Sequence, residues 1–271
     1  MGIFDNVLIV SDFDGTLTGS DGKIPAANVE KIQYFISEGG FFCISTGRTK
    51  TGFHNYTPEL INAPVLLGNG AMAYDFEKNI SVFNNSISFG AIQFIEMLYK
   101  KFPFVGIEIY SVDNKAYVIN PHEKNLRHFN GLRIENYKIV DSVDESVFPV
   151  VKIMIYAGSK SKEVQDFLNE CDLGKLKYIP CNGEFIEILA QSAGKGKALF
   201  QLADYLGVDK NKVFVVGDGS NDVDMLSSEA VSFAPSSSDI LAKNAADYIV
   251  CNSDSGAIAD VIDRVKDLIK S

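Results

Sequence analysis

The sequence contains few cysteines and no arrangement of them that suggests a covalent or metal framework. It has four cysteines in 271 residues and no Cys-x-x-Cys pair. Four scattered cysteines are too few for a disulfide scaffold or a zinc site. We interpret Cys43, which lies in an apolar run, as a small buried hydrophobic residue in a reduced, intracellular protein.

Histidine is also scarce, and the three histidines are far apart in the chain. They are His54, His122 and His128. We expect His122 and His128 to be surface residues. No Gly-x-Ser-x-Gly segment is present, so a hydrolase with a Ser-His-Asp triad on a nucleophile elbow is excluded.

The chain lacks long hydrophobic runs. None approaches the roughly 18 apolar residues that a membrane-spanning helix needs. The first residues have no basic segment and reach Asp12 quickly, which is not typical of a signal peptide. We therefore expect a cytoplasmic protein that has no membrane partner.

Basic residues are outnumbered by acidic ones. Lys and Arg total 25 and Asp and Glu total 35, which gives a formal net charge of −10. Nucleic-acid-binding proteins usually carry a basic surface, so this balance argues against a nucleic-acid partner. It does not exclude anionic small substrates, because a metal or a local cation can reverse the field within a pocket.

Composition and apolar runs predict a folded α/β protein. Hydrophobic residues make up 46% of the chain, which is enough for a substantial core. Continuous apolar runs at 7–10, 41–44, 64–68 and 213–216 predict strands buried on both faces. Helical spacing follows Pro25, so strand and helix alternate as in a parallel sheet.

The middle of the chain has a different pattern. Strands such as 105–110 and 185–189 alternate apolar and polar residues, as half-buried antiparallel strands do. We predict an α+β unit at residues 84–188, inserted into an α/β domain that is built from residues 1–83 and 189–271.

Three polar clusters each follow a predicted buried strand. They occupy residues 11–16, 45–48 and 217–222. In open α/β sheets, ligands bind beyond the carboxyl ends of the strands. The clusters should therefore meet at one edge of the sheet.

Carboxylates dominate the first and last of these clusters. Asp12 and Asp14 are two residues apart, and Asp218 and Asp222 follow the strand at 213–216. Gathered together they would repel one another, and a hard cation such as Mg²⁺ would relieve this. An EF-hand does not fit, because Val223 stands where that loop needs glycine. The alternative is that these residues only cap the following elements.

Two further segments carry groups that bind anions. The segment Ser45–Arg48 offers a hydroxyl, a loop amide and a guanidinium, although it could equally be a helix N-cap. Lys195 lies between two glycines before a predicted helix, a position that suits a phosphate. The spacing is not that of a Walker loop, and two solvated lysines in a turn are the alternative.

The order of these motifs resembles the haloacid dehalogenase superfamily of phosphohydrolases. The matching motifs are Asp12–Thr16, Thr46 in Ser-Thr-Gly-Arg, Lys195, and Gly217–Asp222. The insert is similar to the type IIB cap of that superfamily, and Thr-Gly-Arg with Gly-Asn-Gly-Ala at 68–71 is similar to its Cof-type branch. The resemblance implies a Rossmann-like core domain with an inserted α+β cap that sets substrate specificity.

The resemblance implies a Mg²⁺-dependent phosphatase acting on small phosphorylated metabolites, with sugar phosphates as the expected class. Asp12 would form an aspartyl-phosphate, and Asp14 would protonate the leaving alcohol and then activate water. The metal ligands would be Asp12, the backbone carbonyl of Asp14, Asp218 and Asp222. Transport ATPases of the superfamily carry Thr at the position of Asp14, so a carboxylate here favours rapid hydrolysis of the intermediate.

The resemblance also implies groups that hold the phosphate and the rest of the substrate. Thr46, Gly47, Lys195 and Asn221 would bind the phosphate. Arg48 and Asn69 are candidates for substrate contacts. A phosphomutase of the same superfamily and a non-catalytic phosphate-binding protein remain alternatives, and the sequence does not indicate an oligomeric state.

Overall fold

The computed structural model describes residues 2–270, with helices and strands along most of that length. The strands are β1 Leu8–Ser11, β2 Phe41–Ile44, β3 Val65–Leu67, β4 Met72–Asp75, β5 Ile80–Asn84, β6 Gly106–Ser111, β7 Ala116–Ile119, β8 Tyr137–Ile139, β9 Val150–Tyr156, β10 Leu176–Cys181, β11 Phe185–Ala190, β12 Val213–Val216, β13 Val231–Pro235 and β14 Tyr248–Val250. The helices are α1 Ala26–Ser37, α2 Ile92–Lys101, α3 Glu123–Gly131, α4 Ser161–Glu170, α5 Lys195–Leu206, α6 Val223–Leu226, α7 Ile240–Ala245 and α8 Ala257–Leu268. No helix within residues 2–270 combines the length and apolar character that crossing a bilayer requires.

The chain divides into two compact units. Unit 1 consists of Met1–Gly47, Asn55–Phe83 and Gly194–Ser271. Unit 2 consists of Arg48–His54 and Asn84–Ala193. The predicted boundary at residue 188 would cut through β11, and the structure places that whole strand in unit 2 because it pairs along its length with β10 and β9.

Unit 1 is built on a parallel sheet of five strands in the order β14-β13-β12-β1-β2. β1 pairs with β12 on one side and β2 on the other. Leu8 and Val10 share a buried cluster with α5 residues such as Leu199, whereas α1 and α8 contact β2 and β12. Both faces are covered, which explains why these strands are continuously apolar.

The strand predicted at 64–68 forms, but it does not extend the parallel sheet as expected. β3 pairs antiparallel with β4 in a separate sheet ordered β3-β4-β5. A parallel bridge between Ser45 and Leu66 links β3 to the end of β2. The cause is the turn that follows β3, where Asn69 and Gly70 adopt positive φ angles and the chain reverses at once into β4.

Unit 2 is built on a six-stranded sheet in the order β10-β11-β9-β6-β7-β8. The neighbours are antiparallel except β7 and β8. Ile107, Ile153 and Ile186 belong to a buried core that also includes Ile95 of α2 and Val164 of α4. The predicted α/β class, a parallel-sheet core with an added α+β unit, is confirmed.

The sequence-based expectations about single residues in these units have mixed outcomes. Cys43 is fully buried, as predicted. His122 and His128, which we expected at the surface, are half-buried, and both make specific contacts. His128 Nδ1 lies 2.8 Å from the buried carboxylate of Glu108, and His122 Nε2 lies 2.7 Å from the carbonyl of Phe104. Side-chain contacts within unit 2 decided their position, and the spacing of histidines in the chain carries no information about such contacts.

Candidate active site

Asp12 directly follows β1, which is an interior strand of the parallel sheet. Its backbone N–H donates to the carbonyl of Val216, the last residue of β12, at 2.9 Å, so the pairing with β12 continues one residue beyond β1. Neighbouring strands on both sides bring the ends of β2 and β12 to the same edge. This is the convergence that the sequence predicts for the polar clusters.

Gly15 allows Asp218 to approach the loop that follows β1. Its φ is +84°, and a Cβ at this position would lie 2.6 Å from Asp218 Oδ2. Thr16 Oγ1 donates to Asp218 Oδ1 at 2.6 Å. Sequence reasoning assigned no role to Thr16, although its place in the Asp-x-Asp-Gly-Thr motif was the available signal.

Lys195 connects the first and last clusters. It is the first residue of α5, and its side chain is fully buried. Its Nζ donates to Asp12 Oδ1 at 2.5 Å and to Asp222 Oδ1 at 2.5 Å. Side chains 183 residues apart therefore form one buried ion-pair network.

Asp222 organises the loop after β12. Its Oδ2 accepts the backbone N–H groups of Asp218 and Gly219, both at 3.0 Å. A Cβ at Gly217 would lie only 2.5 Å from Asp222 Cβ, so glycine is needed there. Asp222 thus positions both Lys195 and the loop that carries Asp218.

Three carboxylates at this site can share a cation. One oxygen each from Asp12, Asp218 and Asp222 lies within 4.8 Å of the others. The Oδ2 atoms of Asp12 and Asp218 make no hydrogen bond within residues 2–270. Hard carboxylate oxygens are the donors that Mg²⁺ prefers, so this donor set fits a magnesium ion.

Without a metal ion, burial and the neighbouring carboxylates disfavour the charged forms of Asp12 and Asp218. Burial raises the pKa of Asp12 to about 8, although Lys195 opposes the shift and Asp222 adds to it. Burial also raises the pKa of Asp218, partly offset by the hydrogen bond from Thr16. Burial lowers the pKa of Lys195, but the neighbouring carboxylates of Asp12 and Asp222 outweigh this and hold it above the usual range. A bound cation would favour the charged carboxylates.

Two of the other predicted phosphate-binding residues, Thr46 and Asn221, follow β2 and β12 respectively. Thr46 is buried, and its carbonyl accepts the N–H of Asn69 at 3.0 Å. Asn69 Oδ1 in turn lies 3.4 Å from Asn221 Nδ2. Asn221 makes no hydrogen bond to Lys195 within the described residues, and its predicted role in binding the phosphate stays a prediction.

The remaining predicted residues lie in the segments that follow β1 and β2. Asp14 is exposed, with a non-helical backbone between Phe13 and Gly15. Gly47 lies beside the Asn69 side chain, since a Cβ at Gly47 would be 3.2 Å from Asn69 Oδ1. Arg48 belongs to unit 2, and its predicted contact with substrate stays a prediction.

A model of the haloacid dehalogenase-like hydrolase family matches residues 9–262. The chain therefore belongs to this family, and the predicted superfamily and enzyme class are confirmed. The match spans both units and all of the motifs that carry the resemblance.

Relatives and solved structures agree with this assignment over nearly the whole chain. The chain is 24% identical to a 5-amino-6-(5-phospho-D-ribitylamino)uracil phosphatase of Bacillus subtilis, over 95% of this chain and 97% of the relative. It is 26% identical to a phosphatase of the same name from Escherichia coli, over 95% of each chain. Its fold is similar to that of a haloacid dehalogenase subclass IIB sugar phosphatase, with a TM-score of 0.82, 20% identity, and coverage of 95% of this chain and 98% of the other.

Proposed function

We propose that this protein is a Mg²⁺-dependent phosphatase that releases inorganic phosphate from small phosphorylated metabolites through an aspartyl-phosphate. The observation that supports this most strongly is the buried Lys195 ammonium. It lies 2.5 Å from both Asp12 and Asp222, and Asp218 lies beside them. One cation among three carboxylates is an arrangement suited to receiving a dianion once a metal ion is added.

Asp12 is the nucleophile in this proposal. Its carboxylate oxygen attacks phosphorus in line with the ester oxygen, forms an acyl phosphate, and breaks the bond to the substrate. Lys195 keeps this carboxylate oriented and offsets its charge as the phosphate approaches. Phosphoryl transfer depends mainly on such positioning and charge stabilisation.

Asp14 is the general acid and base in this proposal. Its exposed position suits a group that meets a leaving alcohol and then a water molecule. It gives a proton to the leaving oxygen, and in the second step it takes a proton from the water that attacks the acyl phosphate. This cycle returns Asp14 to its starting state.

Asp12, Asp218, the carbonyl of Asp14 and Asp222 are the groups that would hold the metal ion. When bound, Mg²⁺ would offset the negative charge of the carboxylates and of the phosphoryl oxygens. Asp222 already uses both oxygens in hydrogen bonds, so it contributes most directly by holding Lys195 and the loop of Asp218.

Thr46, Gly47 and Lys195 are the proposed phosphate ligands, and Asn221 lies next to them through Asn69. A hydroxyl, loop amides and an ammonium together supply the donors that phosphoryl oxygens accept. These groups come from the ends of β2, the start of α5 and the loop after β12, which the parallel sheet brings together.

The proposed substrate class is a phosphate ester on a polyhydroxylated carbon chain, such as a sugar or sugar-alcohol phosphate. Two observations support this choice. The Bacillus subtilis and Escherichia coli relatives are named for a phosphorylated ribityl compound, and the subclass IIB protein of similar fold is named a sugar phosphatase.

A panel of sugar and sugar-alcohol phosphates tests this function, with inorganic phosphate measured in Mg²⁺ and in EDTA. We expect phosphate release that requires the metal. Conversion of a hexose phosphate to an isomer without phosphate release would instead indicate a phosphomutase. Binding of the esters without either reaction would indicate a non-catalytic phosphate-binding protein, and an Asp12→Asn variant controls for a contaminating phosphatase.

A further inference from the structure

Ser45 carries a buried hydroxyl that has no hydrogen-bond partner in the described part of the chain. The residue is 0% exposed, and within residues 2–270 nothing donates to or accepts from its Oγ. Buried polar atoms in folded proteins are nearly always paired, because an unpaired one costs stability. A hydroxyl kept in this state next to a catalytic centre points to a partner in another state of the enzyme.

Strand pairing places Ser45 directly beside Asp12. In the ladder between β1 and β2, Val10 is opposite Cys43, and the N–H of Ser45 donates to Ser11 O at 2.8 Å. Two residues further along, Asp12 is therefore opposite Ser45. Parallel strands are about 4.8 Å apart, so the two residues are lateral neighbours.

The side chains of Ser45 and Asp12 point to the same face of the sheet. Side chains alternate along a strand, so Asp12 shares the face of Val10 and Ser45 shares the face of Cys43. Val10 and Cys43 both belong to the cluster that packs against α5. Lys195 reaches Asp12 from the first residue of α5, so Ser45 lies on the side from which the ammonium arrives.

The ammonium of Lys195 has one more N–H donor than its bonds to Asp12 and Asp222 use. A lysine ammonium has three N–H donors. Two of them are used by Asp12 and Asp222, and the third has no assigned acceptor within residues 2–270. Within residues 2–270, Lys195 therefore has one N–H donor without an acceptor, and Ser45, the neighbour of Asp12 in the sheet, has a hydroxyl without a partner.

We propose that Ser45 is a positioning residue whose hydroxyl accepts an N–H of Lys195 in the phosphorylated enzyme. The proposal rests on the function proposed above. As the bond between phosphorus and a carboxylate oxygen of Asp12 forms, the bond between phosphorus and the substrate oxygen breaks, and that oxygen takes the proton of Asp14. Asp12 then no longer carries a carboxylate charge, so it becomes a weaker acceptor for Lys195.

This hydrogen bond should matter only in the second half of the reaction, the hydrolysis of the acyl phosphate. Asp222 and Ser45 together hold Lys195 in place while water attacks the acyl phosphate. Without the hydroxyl, the ammonium would keep only one protein acceptor at full strength. Formation of the acyl phosphate, in which the Asp12 carboxylate still binds Lys195, should be nearly unaffected.

The test is a Ser45→Ala variant assayed with p-nitrophenyl phosphate and Mg²⁺. The phosphoenzyme is trapped by acid quenching, and its decay is followed after a chase. We expect decay about 10-fold slower than in the wild type, since a hydrogen bond to a charged group is lost. Both kcat and KM should fall together with kcat/KM unchanged, and the Tm should stay the same or rise because the hydroxyl is unpaired in the resting enzyme.

The matched control is Ser238→Ala, which removes another buried hydroxyl that has no partner. It should leave phosphoenzyme decay unchanged. Decay of the Ser45→Ala phosphoenzyme at the wild-type rate overturns the positioning role alone. A lowered Tm with a lowered kcat/KM also overturns it, since that pattern is structural. A wild-type enzyme that releases phosphate without any phosphoenzyme overturns the aspartyl-phosphate mechanism and this inference with it.

Discussion

Single side chains determine the charge balance at the end of β1. Lys195 is the one cation that bonds to the carboxylates in the described part of this site, and it contacts Asp12 and Asp222 but not Asp218. Thr16 instead donates to Asp218. A neutral donor offsets less charge than an ammonium does, so Asp218 retains the capacity to bind a metal ion.

Replacing Asp12 tests the nucleophile at the scale of one residue. Asp12→Asn should lower phosphatase kcat by at least about 1,000-fold, because the amide cannot form the acyl phosphate. The amide oxygen still accepts a hydrogen bond from Lys195, so the fold should remain intact by circular dichroism and thermal unfolding.

The control for this variant is Asp263→Asn, which removes an exposed carboxylate from α8. It should retain wild-type activity. Turnover of Asp12→Asn within tenfold of the wild type would exclude the nucleophile role.

At the scale of elements, the loop after β1 allows the Asp218 carboxylate to approach closely. At Gly15 the backbone φ is positive, and the Asp218 carboxylate lies where a Cβ would be. Each of these two features disfavours a side chain, and together they require glycine. Gly22 also has a positive φ, but a Cβ added there would meet only open space.

Gly15→Ala tests this loop, with Gly22→Ala as the matched control. Both variants should lose about 1 kcal/mol of unfolding free energy because alanine is strained at positive φ. Only Gly15→Ala should also displace Asp218, and we expect it to lower kcat at least about 10-fold and to weaken Mg²⁺ binding.

The measurements are urea unfolding, steady-state kinetics and calorimetric titration with Mg²⁺. Equal loss of activity in the two variants would show that backbone strain alone is responsible. Full activity and full metal affinity in Gly15→Ala would contradict the close approach of the Asp218 carboxylate.

At the scale of the whole molecule, the site couples metal binding, protonation and stability. The pKa of Asp12 is raised from 3.8 to about 8 by burial. Asp12 therefore binds a proton more tightly in the metal-free folded protein than in the unfolded chain. The contribution of Asp12 to the unfolding free energy falls as the pH rises between these two pKa values.

We expect bound Mg²⁺ to reverse this fall of the unfolding free energy with rising pH. The metal competes with the proton on Asp12, so its apparent affinity should increase from pH 6 to pH 8. At a concentration 100 times its dissociation constant, a ligand that binds only the folded state stabilises it by about 2.7 kcal/mol. Thermal unfolding with and without Mg²⁺ at several pH values measures the shift.

The Asp12→Asn variant is the control for this coupling, since its amide does not titrate. The rise in Tm with Mg²⁺ should then be smaller and nearly independent of pH. An equal Mg²⁺-induced shift at pH 6 and pH 8 in the wild type would contradict the linkage between Asp12 and the metal.

The sequence alone identified the α/β class and the carboxylates of the site. Buried parallel strands require continuous apolar runs, and the ends of those runs mark where functional loops begin. The positions of Asp12 and Asp218 could therefore be predicted from local pattern, whereas the role of Lys195 was implied by the resemblance to a family that the family model confirms.

Only the tertiary structure decided which atoms meet. The antiparallel turn of β3 into β4, the contact of His128 with Glu108, and the bond of Thr16 to Asp218 join segments whose chain spacing says nothing about distance. The sequence also could not show that the Ser45 hydroxyl has no partner within residues 2–270, because hydrogen-bond partners depend on how the interior packs. Local patterns specify elements, whereas side-chain partners depend on how those elements pack.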